Sequence, residues 1–167
     1  MLFQDNRETI LIIDFGSQVT KLIARRIRDL GVYSEIITPR HVKTIKNYER
    51  IKGIILSGGP STVTKEKFQS IPKQIFEKKI PILGICYGLQ LIAKLFGGKI
   101  KSSFKRREFG REIVFKRKES LLTKKFFNPN QVVWMSHEDA VVKLPKGFQI
   151  IAYTKNSKLT IIENLKK

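Results

Sequence analysis

The chain has 167 residues, with 33 Lys and Arg against 14 Asp and Glu and a formal net charge of +19. That length suits one domain, and an apolar fraction of 41% excludes a disordered chain. The single cysteine excludes an intrachain disulfide and a cysteine-based zinc site.

The N-terminal half alternates apolar runs with amphipathic segments. Thr9–Asp14 is a continuous apolar run ending in an acid, the form of a strand buried on both faces. Gly16 and Ser17 turn the chain, and the apolar stripe Val19, Leu22, Ile23, Ile27 and Leu30 predicts a helix, ended by Gly31 in a left-handed conformation. Tyr33–Ile37 and Gly53–Leu56 are predicted strands, the second followed by Ser57-Gly-Gly-Pro60. Lys67–Lys79 reads as a helix, weakened by Pro72. Pro81–Ile85 reads as a fourth strand and Gly88–Phe96 as a helix that is apolar nearly all round, hence buried. Such alternation with short links implies parallel pairing through right-handed crossovers. Beyond Gly97-Gly98 the character changes. Glu112–Phe115, Gln131–Met135, Phe148–Ala152 and Leu159–Ile162 look like strands, with no helix among them. The expected class is α/β, with a mostly parallel central sheet, helices on both faces and a β-rich C-terminal half. No repeat or linker marks a second domain.

No apolar run reaches the roughly 18 residues of a membrane span, and MLFQDNRETI lacks the basic flank and apolar core of a secretory signal. With one unpaired thiol, a cytoplasmic location is expected. The charge invites a nucleic-acid reading. The lysines are scattered along the whole chain, however, and no aromatic-and-basic RNA motif occurs, so a solvated surface is the preferred reading.

Gly84-Ile-Cys-Tyr-Gly88 is the most informative segment. It sits where a buried strand gives way to a buried helix, and its G-x-C-x-G spacing is that of a nucleophile elbow. A sharp turn forces the central residue into a strained conformation, and glycines two residues on either side relieve the crowding. Cys86 is thereby presented at the carboxyl edge of the sheet, facing a helix N-terminus that favours thiolate. The competing reading is a buried structural cysteine. A thiolate attacking a carboxamide produces an oxyanion that needs backbone donors, and the amides of Tyr87 and Gly59 are the candidates. The alternative for Ser57–Pro60 is a plain tight turn. The nucleophile also wants a base, and the chain holds two histidines, His41 and His137. A Cys86–His137–Glu138 triad is conceivable, but neighbours on an extended segment point to opposite faces, so Glu138 cannot easily hold the His137 imidazole. A hydrogen-bonded or surface histidine is an equal reading.

Ile12–Gln18, Leu22–Arg26, Gly31–Tyr33, Gly53–Ser61, Gly84–Gln90, Glu108–Gly110 and Val133–His137 together resemble the class I glutamine amidotransferase domain of GMP synthase. The elbow and S-G-G-P are general to the amidotransferases; the D-F-G-S-Q, E-F-G and V-W-M-S-H segments point to the GMP synthase branch. The resemblance implies Cys86 as the nucleophile that takes the γ-glutamyl group, with Gly59 and Tyr87 amides as the oxyanion hole. It also implies Gln90, Ser136 and His137 as glutamine contacts, with no metal or cofactor in this domain. The partner it implies is the ATP-pyrophosphatase domain or subunit of the synthetase, which would use ATP and Mg to aminate XMP. In that family the base lies in a later Q-F-H-P-E motif that these 167 residues do not contain. Residues 1–167 are therefore expected to be a C-terminally truncated amidotransferase domain, with apolar surface left partly uncovered around Ile150, Ile151, Ile161 and Ile162. Glu138 stands where the family usually has Gly. The competing functions are an inactive remnant that binds glutamine or docks on a synthetase, and a basic nucleic-acid-binding domain.

Overall fold

Strands β1 (Thr9–Ile13), β2 (Tyr33–Ile37), β3 (Ile51–Leu56) and β4 (Ile82–Gly84) pair in parallel in the order β2-β1-β3-β4. The description is of a computed structural model and covers residues 7–102, 107–124 and 128–165. Leu11, Ile12, Ile13, Ile54 and Leu56 are all essentially inaccessible, which is why these strands read as unbroken apolar runs rather than as alternating ones. Because all four strands run the same way, their carboxyl ends share one edge. There β1 leads into Asp14, β3 into Ser57 and β4 into the Cys86 elbow.

Helix α1 (Thr20–Asp29) forms where its stripe predicts, with the inward face shifted so that Ile23 and Ile27 of the stripe are half-buried beside Thr20 and Ala24. Its buried residues are Thr20 and Ala24, whereas Val19, Leu22 and Leu30 are about half or more exposed. Small side chains at Thr20 and Ala24 let the helix seat closely, and Ser34 of β2 donates a buried hydrogen bond to the Ala24 carbonyl. The helix ends as expected. Gly31 has φ +78°, its amide donates to the Arg28 carbonyl, and the Val32 amide reaches the Ile27 carbonyl. Those are the two bonds of a Schellman motif.

The predicted helix over Lys67–Lys79 is not there. A single 3₁₀ stretch, Lys73–Glu77, follows Pro72, whose ψ of 133° is extended. Proline offers no amide to an upstream turn and disfavours helical geometry in the residue before it, so only Ile75 of that stretch is buried.

The second helix, α2 (Tyr87–Leu95), buries Tyr87 and Gln90–Ala93 as its all-round apolar character required. The chain's contacts divide it into two compact units, one up to Ile92 and the other from Ala93 onward. The later unit contains β5 (Lys99–Ser102), β6 (Glu108–Lys116), β7 (Asn130–His137), β8 (Asp139–Lys143), β9 (Gln149–Tyr153) and β10 (Ile161–Glu163). An antiparallel sheet runs β10-β9-β6-β7, and β5 pairs with β8 as a ribbon. β6 and β7 contain two of the predicted strands, and β9 and β10 overlap the other two, each starting later than expected; β5 and β8 carry too few apolar residues in alternation to be read beforehand. One face of the sheet packs Val133, Met135 and Ile161 against Val114 and Ala152. The expectation of partly uncovered apolar surface near the C-terminus holds for Ile150, Ile161 and Ile162, which are of intermediate exposure, but not for Ile151, which is fully buried in β9, a strand paired on both sides. The fold is mixed α/β with a parallel sheet and a β-rich C-terminal half. Among the described residues no helix is long and apolar enough to cross a membrane.

Candidate active site

At the end of β4 the Ile85 amide still bonds the Leu56 carbonyl of β3, 2.9 Å away, and then the chain turns sharply. Cys86 takes φ +52°, one of two non-glycine residues with positive φ among those described. A left-handed backbone at a side-chain-bearing residue costs on the order of 1–3 kcal/mol and persists only where its surroundings impose it. Here they do. A Cβ on Gly84 would lie 2.6 Å from the Gly88 carbonyl carbon, and a Cβ on Gly88 would lie 2.2 Å from the Leu56 carbonyl oxygen. The Gly88 amide reaches both the Ser57 and the Ile85 carbonyls, and the Gln90 amide closes the first helical turn on the Cys86 carbonyl. The two glycines thus do what the spacing predicts: strand, turn and helix meet backbone against backbone, and Cys86 is left at the bend, partly exposed.

The Ser57–Pro60 loop runs past the same bend. A Cβ on Gly58 would meet the Cys86 Cβ and the Ser17 hydroxyl oxygen at 3.5 Å, ordinary contact distances that place the loop directly beside the cysteine. Gly59 is the constrained residue of the loop, since a Cβ there would lie 2.5 Å from the Phe15 carbonyl oxygen. The loop is tied to the end of β1. Asp14 Oδ1 accepts from the Gly16 amide at 2.9 Å and the Thr20 hydroxyl at 2.8 Å, while Ser57 Oγ accepts from the Phe15 amide at 3.1 Å. The D-F-G-S and S-G-G-P segments are therefore one hydrogen-bonded structure around the elbow. The first of them carries a role that the spacing alone did not reveal.

Tyr87 and Gln90 follow Cys86 on the buried side of α2. The Tyr87 ring tilts against Phe15 with centroids 5.0 Å apart, and its hydroxyl donates to the Gln69 carbonyl at 2.5 Å. Burial pushes the Tyr87 phenol up to about 12 from its ordinary 10. The folded state therefore holds this proton more tightly than the unfolded one, so its contribution is complete below about pH 10 and disappears as pH rises toward 12. An ultraviolet absorbance titration should show a latest tyrosinate step coinciding with loss of stability, and Tyr87→Phe should remove that step.

Ser136 and His137 end β7 in the other unit. Ser136 is exposed, and His137 is largely covered. The expectation that Glu138 cannot orient His137 holds. Glu138 turns away to an exposed ion pair with Arg107, at 3.5 Å. The residue that meets the imidazole is Glu108, the cross-strand neighbour of His137 in the β6–β7 register, with a carboxyl oxygen 2.9 Å from Nε2. Glu108 is wholly buried, and its other oxygen accepts from the Thr154 hydroxyl, which itself accepts from the Ser157 amide. His41 is exposed, with Nδ1 3.0 Å from the Thr38 hydroxyl. A cleft of about 390 Å³ lies between Val42–Tyr48 and Pro72–Lys78, and none of the proposed site residues lines it. Among the described residues no cluster of His, Cys, Asp and Glu could hold a metal.

Residues 11–167 match the family model for glutamine amidotransferase class-I. The chain belongs to that family. As an amidotransferase it is 50% identical to the GMP synthase [glutamine-hydrolyzing] of Brachyspira hyodysenteriae, with 98% of this chain matching 32% of that protein. It is 48% identical to the Chlorobaculum tepidum enzyme of the same name, with 94% of the chain matching 30% of it. This amidotransferase thus spans about a third of the length of those curated relatives. Among solved structures, a GMP synthase subunit protein from Thermoplasma acidophilum superposes with a TM-score of 0.84 at 27% identity, covering 98% of this chain and 81% of that one. A Thermotoga maritima glutamine amidotransferase shares the fold, with a TM-score of 0.76 at 20% identity, covering 96% and 73%.

Proposed function

We propose that this chain is the glutamine-hydrolysing part of a GMP synthase, with Cys86 as its nucleophile. The single observation that carries the reading is the left-handed Cys86 at a strand–helix bend built from two backbone-contacting glycines. The chemistry follows from that placement. The Cys86 sulfur adds to the side-chain carboxamide carbon of glutamine, and the oxyanion so formed is met by the Tyr87 and Gly59 amides. The C–N bond breaks, ammonia leaves with a proton, and a γ-glutamyl thioester remains. Water cleaves the thioester to glutamate and restores the thiol. The resemblance gives Gln90, Ser136 and His137 as the residues that contact glutamine. We read both compact units as one amidotransferase domain, because the family match runs across them.

A thiol that forms and loses a thioester needs no metal or cofactor. ATP and Mg belong to the ATP-pyrophosphatase domain or subunit, which takes the ammonia to convert XMP to GMP. A thiol that must stay reduced suits the cytoplasm.

The covalent step can be read separately from turnover. Hydroxylamine intercepts a γ-glutamyl thioester as γ-glutamyl hydroxamate, so the chain with glutamine and hydroxylamine should yield this product, and Cys86→Ala should yield none. Hydroxamate formation that survives Cys86→Ala, or none at all over long incubation, would refute the assignment.

A further inference from the structure

The two oxyanion donors differ in how they are held. The Tyr87 amide is fixed by helix α2, which starts at that residue. The Gly59 amide belongs to a peptide between two glycines, where the chain itself resists rotation of the peptide plane least. It donates to no other group among the described residues. A half-turn of that plane would put the Gly58 carbonyl oxygen where the amide should be, and a carbonyl repels an oxyanion. A group outside the two glycines has to set the direction of the plane.

Ser57 is placed to do so. Its side chain is wholly buried. Its Oγ accepts from the Phe15 amide at 3.1 Å and donates to the Gly58 carbonyl at 2.8 Å. A hydroxyl has one proton to give, and the Asp14 carboxylate oxygen, at 3.5 Å, is the more distant acceptor. The backbone of Ser57 is anchored as well. Its amide donates to the Ile13 carbonyl at 3.0 Å, and its carbonyl accepts from the Gly88 amide at 3.1 Å. Strand β1, the elbow helix and the loop thus meet at one residue. Because a peptide unit is planar and trans, the Gly58 carbonyl and the Gly59 amide point in opposite directions, and holding the first aims the second.

We propose that Ser57 is a positioning residue for the reaction: through the Gly58 carbonyl it locks the Gly58–Gly59 peptide so that the Gly59 amide faces the oxyanion. The inference rests on reading Cys86 as the nucleophile of a glutaminase. Loss of the hydroxyl should slow a step that forms an oxyanion and spare one that does not.

Ser57→Ala separates the two. Hydroxamate formation from glutamine and hydroxylamine should fall about 10- to 100-fold, less than the roughly 100- to 1000-fold of deleting an oxyanion donor outright. The loss should lie in the rate at saturating glutamine, with the half-saturating concentration changed by less than about twofold, because the donor is used only in the transition state. Alkylation of Cys86 by iodoacetamide, in which sulfur displaces iodide and no oxyanion forms, should keep its rate. A loosened elbow would slow both. A folded Ser57→Thr keeps the hydroxyl and should recover most of the hydroxamate rate.

Nuclear magnetic resonance adds a test on the unaltered chain. Glycine carrying ¹³C at its carbonyl and ¹⁵N at its amide gives carbon-coupled amide signals only at Gly59 and Gly98, the two glycines that follow a glycine. Gly98, whose amide donates to the Ala93 carbonyl at 2.8 Å, is the reference. Gly59 should show no microsecond-to-millisecond exchange in the unaltered chain and should show it in Ser57→Ala. Exchange at Gly59 before any substitution would overturn the proposal. So would Ser57→Ala forming hydroxamate at the original rate, an equal slowing of iodoacetamide alkylation, or a folded Ser57→Thr no better than Ser57→Ala. An unaltered chain that forms no hydroxamate would instead refute the glutaminase reading, and the role of Ser57 with it.

Discussion

Gly88→Ala is expected to destabilise the chain by about 3 kcal/mol or more and to abolish the reactivity of Cys86. The added methyl would sit 2.2 Å from the Leu56 carbonyl oxygen, with Leu56 Cβ at 2.7 Å. Neither is the end of a flexible side chain; both are fixed by the β3 ladder, so α2 or β3 must move. Overpacking of a core typically costs about 1–3 kcal/mol even when side chains can adjust, and here they cannot. At roughly 2–4 °C per kcal/mol for a chain of this length, the melting temperature should fall by about 6–12 °C or more. Gly31→Ala is the informative comparison. Its φ of +78° is strained for alanine, but nothing lies within 4 Å of its Cβ, so the loss should be about 1–2 kcal/mol with Cys86 unaffected. Calorimetric melts of the two variants separate the steric role of the elbow glycine from the conformational role of the helix-capping one.

Glu108→Ala should cost about 2–5 kcal/mol, the range for truncating a buried side chain to alanine, because it also leaves buried polar groups without their partner. Glu108 is buried in its entirety and faces both the His137 imidazole and the Thr154 hydroxyl. Its removal leaves both groups without their partner and a cavity between β6 and the Thr154–Ser157 turn. Glu108→Gln keeps the size and an acceptor, so its loss should be smaller, about 1–3 kcal/mol. Denaturant unfolding of both variants, at unchanged slope, is the measurement. A loss under about 0.5 kcal/mol for Glu108→Ala would mean the cluster is incidental.

Local signals were the legible ones. The elbow could be read because all its parts fall within Gly84–Gly88, and the Schellman end of α1 because Gly31 follows its last turn. The Glu108–His137 contact was hidden, though both residues lay in segments that matched the family. It exists only through a strand register linking positions 29 apart, which neighbouring residues do not encode. The helix expected at Lys67–Lys79 failed because the apolar residues there satisfied the spacing while Pro72 denied the backbone. On α1, periodicity located the helix and, through Ile23 and Ile27, part of its inward face, but not the closest approach, which is made by Thr20 and Ala24 rather than by the larger side chains.

Alkylation of Cys86 by a chloroketone analogue of glutamine tests the central claim most directly. The strained bend at a helix N-terminus predicts that this lone thiol reacts faster than free cysteine at neutral pH, and that glutamine slows the reaction by competing for the same site. Labelling at the rate of free cysteine, with no protection by glutamine, would contradict the assignment of Cys86 as the nucleophile of a glutamine site.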